Sequence, residues 1–94
     1  MPSSNNERAT IEDIREAIDV ADGAILKSLG ARMRLIEFLR RLKKLTGGPI
    51  EDRVREAAVK QRWKTLAKEE GVREELALLI LDFLLSESKR IQSE

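Results

Sequence analysis

Three pairs of polar residues stand at helical spacing in this chain: Arg32 and Lys43 are eleven residues apart, Asp52 and Glu56 four, and Ser88 and Gln92 four. At about 100° per residue an eleven-residue step returns to within roughly 20° of the same helix face, so Arg32 and Lys43, with Ile36 and Leu39 between them, can line one pocket. A four-residue step stacks Asp52 over Glu56, on a face that continues through Val59 and Trp63. The same step stacks Ser88 over Gln92, in line with Leu81 and Leu84 or Leu85. Cations, carboxylates and neutral hydrogen bonders that extend apolar stripes could together line a buried polar pocket for an apolar-cored dianion. Arg grips carboxylates with two parallel bonds, and Ser and Gln fix neutral oxygens.

Each pair also has a plain structural account. Arg and Lys can bury their methylenes while the charge reaches water. Acids at the start of a helix meet its positive end, and polar residues near a C-terminus can be a frayed last turn. The cluster Arg40-Arg41-Leu42-Lys43-Lys44 could touch phosphates, but Glu51-Asp52 follow closely, no aromatic residue is interleaved, and cations also suit a helix C-terminus.

Composition narrows the choice. Eighteen basic and seventeen acidic residues leave a net charge of +1, so no global field draws the chain to nucleic acid or an anionic membrane, and neither partner is expected. There is no Cys and no His, which removes disulfides, thiolate nucleophiles, imidazole bases and the usual zinc ligands; no cofactor and no metal are expected. The opening MPSSNNERAT is polar, which gives a cytoplasmic expectation. The most apolar run, Leu76 to Leu85, reads as a buried helix because it is about half as long as a bilayer span.

The elements that must position these residues are helices: aromatics make up 3% of the chain and charged residues 37%, a balance that suits amphipathic helices. At 94 residues one domain spanning 1–94 is expected, with residues 1–9 disordered. Thr10 and Asp13 form a capping pattern, and Ile11, Ile14, Ile18, Ala21 and Ile25 recur in three- and four-residue steps. The fold class is therefore all-α, with helices predicted over 11–45, 50–69 and 73–92. Thr46-Gly47-Gly48-Pro49 ends the first and Gly71 the second. Val54, Ala58, Trp63 and Leu66 are expected to face inward from the second helix.

The first helix would be ~50 Å long, against a radius of gyration of ~12 Å for a compact chain of this size. Either it breaks near Gly30 to give a four-helix monomer, or its apolar stripe is buried against a second chain; the expectation is an intertwined homodimer. Arg15 lies ~25 Å along such a helix from Arg32 and about 100° around it, so the two can grip one small anion only across a two-fold dimer.

These residues resemble the all-helical chorismate mutases, short three-helix enzymes that form domain-swapped dimers. The resemblance spans about Ile11 to Gln92. It is carried by Ile14-Arg15 with Ile18-Asp19, Leu29-Gly30-Ala31-Arg32, Lys43, Pro49-Ile50-Glu51-Asp52-Arg53-Val54-Arg55-Glu56, and Glu87-Ser88 with Gln92, with no insertion between them. It implies rearrangement of chorismate to prephenate in phenylalanine and tyrosine biosynthesis, a pericyclic step without a covalent enzyme intermediate. The catalytic need is to hold the folded substrate and to stabilise negative charge growing on the ether oxygen. By the same resemblance, Arg15 from one chain and Arg32 from the other bind the two carboxylates, with Ser88 and Arg55 assisting. Lys43 and Gln92 donate to the ether oxygen, and Glu56, with the backbone near Asp52, receives the ring hydroxyl. Asp13 to Asp19 and Leu29 to Met33 also resemble the isochorismate pyruvate lyases of the same fold, which serve salicylate synthesis. A helical interaction module without catalysis is the third alternative.

Overall fold

A computed structural model describes residues 8–94. Among them are three α-helices and no strand: α1 (Ile11–Thr46), α2 (Arg53–Glu70) and α3 (Glu74–Gln92). The disorder expected for residues 1–9 falls mostly on residues 1–7, outside the described residues; Arg8 and Ala9 are exposed and precede α1 without regular structure. The chain divides into two units, 1–34 and 35–94.

In the first unit α1 begins on a reciprocal cap. The Asp13 backbone N–H donates to Thr10 Oγ1 at 3.0 Å, and the Thr10 N–H donates to Asp13 Oδ2 at 2.9 Å. Two of the backbone donors that a helix start leaves unpaired are thereby met. Those bonds hold the Asp13 carboxyl below its ordinary value, the backbone N–H of Thr10 contributing most. The helix continues through Gly23 and Gly30, so the break considered near Gly30 does not occur. No residue of α1 is buried, and Ile11, Ile14, Ile18 and Ile25 are all exposed.

The second unit holds the last turns of α1 with α2 and α3. Gly47, at φ 75°, ends α1, and its N–H and that of Gly48 both close on the Lys43 carbonyl at 2.7 and 3.1 Å. Only glycine takes this left-handed conformation without a steric penalty from Cβ. Gly71, at φ 68°, closes α2 in the same way, with Val72 N–H on the Ala67 carbonyl at 2.8 Å. The chain then turns through Val72 and Arg73 into α3, which packs on α2.

The second helix opens three residues later than expected, at Arg53 rather than near Ile50. Its start is set by Asp52, whose extended backbone (φ −127°, ψ 98°) lets the side chain accept the Arg55 N–H at 2.9 Å. Its inward face also differs. Val54, Ala58 and Leu66 are exposed, whereas Glu56, Val59 and Trp63 are half-buried and Ala67 is buried. The apolar residues of α2 form two overlapping stripes, 54–58 and 59–63–67, and contact with α3 selects the second.

From α3, Ala77, Leu81, Leu84, Ser88 and Gln92 are buried, in steps of three and four residues. Leu76, Leu79, Ile80 and Phe83 on the rest of the helix are exposed. Among the described residues no helix is long and apolar enough to cross a membrane. Leu81, the most enclosed side chain at 1% exposure, is the keystone of this packing. Leu81→Ala should lower the unfolding free energy by about 2–5 kcal/mol, read from the shift of the denaturation midpoint. A shift no larger than that of Leu79→Ala, on the exposed face, would place the core elsewhere.

Candidate active site

The buried strip of α3 turns polar in its last two turns, and the end of α1 meets it there. The Lys43 ammonium donates to Gln92 Oε1 at 2.6 Å and to the Ile50 carbonyl at 3.2 Å. Gln92 Nε2 donates to the Ser88 carbonyl at 3.2 Å, and Ser88 Oγ donates one turn further back to the Leu84 carbonyl at 2.8 Å. An ammonium carries three N–H donors and a primary amide two. Among the described residues these bonds therefore leave one N–H on Lys43 and one on Gln92, on groups already tied together.

Lys43 and Gln92 also line a cleft of about 380 Å³ with Arg40, Lys44, Ile50 and Glu94, a size that fits a small ligand. The lining is mixed in charge: three cations, one acidic residue, an amide and one aliphatic side chain. Arg40 is held in place by Glu37, whose carboxylate it grips at 2.6–3.1 Å. This contact is the main cause that lowers the Glu37 carboxyl and raises the Arg40 guanidinium from their ordinary values. Arg40 and Lys44 both donate to the Glu94 carbonyl oxygen, at 3.2 and 3.1 Å. Arg41 turns elsewhere, 3.5 Å from Glu37 and over the Phe38 ring. The basic cluster thus spends much of its charge on internal acceptors.

The carboxylates lie at the start of α2, outside the cleft lining. Asp52 uses Oδ1 as the helix cap, so its side chain has a structural task. Glu56 is half-buried, with Oε1 3.3 Å from Lys89 Nζ, and the same ammonium lies 3.2 Å from Glu51 Oε1. These two partners, Glu51 first, raise the Lys89 ammonium above its ordinary value. Arg55 gives Asp52 its backbone N–H, and the residue is exposed. Arg15 and Arg32 belong to the first unit, where Arg15 is exposed and Arg32 half-buried.

Of the residues singled out in the sequence, the structure joins Lys43 to Gln92 directly and to Ser88 through it. Glu94 was missed as a neighbour of this group, Arg40 and Lys44 were read only as part of a phosphate-touching cluster, and the Lys89 bridge between Glu51 and Glu56 was missed as well. Arg40 carried a signal, since it stands one helical turn before Lys43. Lys89 carried none, because its acidic partners come from the preceding loop and a different helix. Among the described residues no group of three or more acidic side chains is placed to hold a metal ion.

The described residues thus form three helices with a cation–amide pair beside a small cleft, in a chain that has neither thiol nor imidazole. Residues 14–93 match the family described as chorismate mutase type II, and the chain belongs to that family. Over 84 residues it is 32% identical to the chorismate mutase of Methanocaldococcus jannaschii, covering 89% of this chain and 85% of that one. No solved structure matches it significantly.

The Arg40–Glu37 pair has a pH signature. A carboxyl with a lowered folded-state pKa adds stability above its ordinary value, and that stability is lost as pH falls through the lowered one. In an NMR titration Glu37 should therefore titrate below the ordinary glutamate value, and Arg40→Met should move it back toward that value. A Glu37 midpoint unchanged by that substitution would remove Arg40 as the cause.

Proposed function

We propose that this chain is an isomerase that rearranges chorismate to prephenate, and that residues 1–94 form a single chorismate mutase domain. Family membership over residues 14–93 supports the reaction. The observation that carries the mechanism is the Lys43–Gln92 hydrogen bond of 2.6 Å, which fixes two donors side by side before any ligand arrives. The rearrangement breaks an ether C–O bond as a C–C bond forms, and electron density builds on the ether oxygen. Donors aimed at that oxygen beforehand favour the transition state over the ground state, in which the oxygen is nearly neutral. No proton has to be removed and no covalent intermediate formed, so a site lacking His and Cys is sufficient.

In this reading Glu56 accepts the ring hydroxyl, with the backbone near Asp52, and so favours the reactive diaxial conformer. Arg32 binds one substrate carboxylate with Ser88, Arg55 supports the electrostatics, and Arg15 of a second copy binds the other carboxylate. The second copy has its own support. No residue of α1 is buried, and Ile14, Ile18, Ile25, Leu35, Phe38 and Leu42 are exposed along it, as are Leu79, Ile80 and Phe83 on α3. Covering a Leu, Ile or Phe side chain is worth about 1.5–3 kcal/mol, so surfaces of this extent drive association. An intertwined homodimer acting in the cytoplasm completes the proposal.

Incubating the protein separately with chorismate and isochorismate and identifying the products tests the reaction. Prephenate is expected; salicylate and pyruvate from isochorismate would assign it to the lyases instead, and no product from either would leave a helical interaction module. Lys43→Ala should lower kcat on the order of 10²-fold or more, the effect of losing one preorganised donor to a developing oxyanion. Near-normal turnover would rule out the ether-oxygen role. Mixing Arg15→Ala with Arg32→Ala chains should restore part of the activity, because a mixed dimer contains one intact site. Absence of rescue despite demonstrated subunit exchange would argue for a site made within one chain.

A further inference from the structure

We propose that Lys89 is a positioning residue for Glu56, held by Glu51 and holding the Glu56 carboxylate in the orientation that receives the ring hydroxyl of the substrate. The inference rests on the role given to Glu56 above. Lys89 Nζ lies 3.2 Å from Glu51 Oε1 and 3.3 Å from Glu56 Oε1, so one ammonium bridges the loop before α2, the first turn of α2 and the last turns of α3. Both contacts are made by the same ammonium, so the position of the Glu56 carboxylate is tied to that of Glu51. Without the cation, two carboxylates close to one ammonium would face each other and repel, and Glu56 would swing about its own side-chain torsions. Both carboxylates raise the Lys89 ammonium above its ordinary value, Glu51 contributing most.

Stability is a poor explanation for this arrangement. The Lys89 and Glu51 side chains are 41% and 54% exposed, and ion pairs so open to water contribute little to folding. Their effect is instead to restrict where one half-buried carboxylate can point. Lys89 also follows Ser88 directly and precedes Gln92 by three residues, so the helix end that supplies the buried hydrogen bonders supplies the clamp as well.

The test compares kcat and KM on chorismate for wild type, Lys89→Met, Lys89→Arg, Glu51→Gln, Glu56→Gln and the Lys89→Met/Glu56→Gln double variant, with Tm as the control for folding. Lys89→Met should lower kcat/KM about tenfold, less than the on the order of 10² that outright misplacement of a reacting group costs. Lys89→Arg should recover most of that loss, Glu51→Gln should show a weaker loss in the same direction, and Tm should barely move. In the double variant Lys89→Met should add nothing to Glu56→Gln, because a residue acting through Glu56 has nothing left to position. Wild-type kinetics in both Lys89→Met and Glu51→Gln, with Glu56→Gln impaired, would overturn the positioning role alone, as would losses that multiply in the double variant. Wild-type kinetics in Glu56→Gln would overturn the role of Glu56 and this inference together. Should Lys89→Met not fold, Glu51→Gln and Lys89→Arg decide the matter on the same readouts.

Discussion

The buried strip of α3 runs Ala77, Leu81, Leu84, Ser88, Gln92, and its chemistry changes halfway. Its apolar half packs against α2 and supplies most of the core of the second unit. Its polar half stays buried only because each polar atom finds a partner: Ser88 Oγ in the Leu84 carbonyl, Gln92 Nε2 in the Ser88 carbonyl, and Gln92 Oε1 in the Lys43 ammonium. Buried polar groups are costly when unpaired, so the register of the α3 strip dictates where Lys43 must come to rest. The Gly47–Gly48 turn ends α1 there, and the long Lys43 side chain spans the remaining distance to α3.

That arrangement explains why so plain a set of residues can serve a demanding reaction. The chain has no imidazole and no thiol, and its eighteen basic and seventeen acidic residues nearly cancel. Local pairing does the sorting: Glu37 fixes Arg40, Glu51 and Glu56 meet Lys89, and Gln92 meets Lys43. In the proposed mechanism, positioned donors act on a charge that appears only in the transition state, as a pericyclic rearrangement requires. The apolar residues left exposed on α1 and on the outer face of α3 give the proposed second copy its place, and the proposed contribution of Arg15 makes that copy part of the catalyst as well as of the fold.

Several features were open to reading in the sequence. The Thr10–Asp13 cap, the Gly71 stop and the line from Leu81 through Ser88 to Gln92 are local patterns, and the structure contains all three. The inward face of α2 was misread in part. Val54, Ala58 and Leu66 are as apolar as Val59 and Ala67, and only the helix packed against them distinguishes the two stripes. Lys89 was passed over for a related reason: a lysine near a helix C-terminus is ordinary, and its two acidic partners are more than thirty residues away in sequence.

What the sequence determined by itself is the set of helices and the chemistry of their faces, because helical hydrogen bonds, caps and amphipathic stripes depend on residues three or four positions apart. The family resemblance, carried by residue types at fixed spacing, was legible for the same reason. Tertiary structure alone decided which stripe of α2 turns inward, that Lys43 meets Gln92 across 49 positions, and that Glu56 shares an ammonium with Glu51. Such contacts join residues whose separation is fixed by turns and packing, and nothing in the local order of the chain specifies which oxygen a long, flexible lysine will reach.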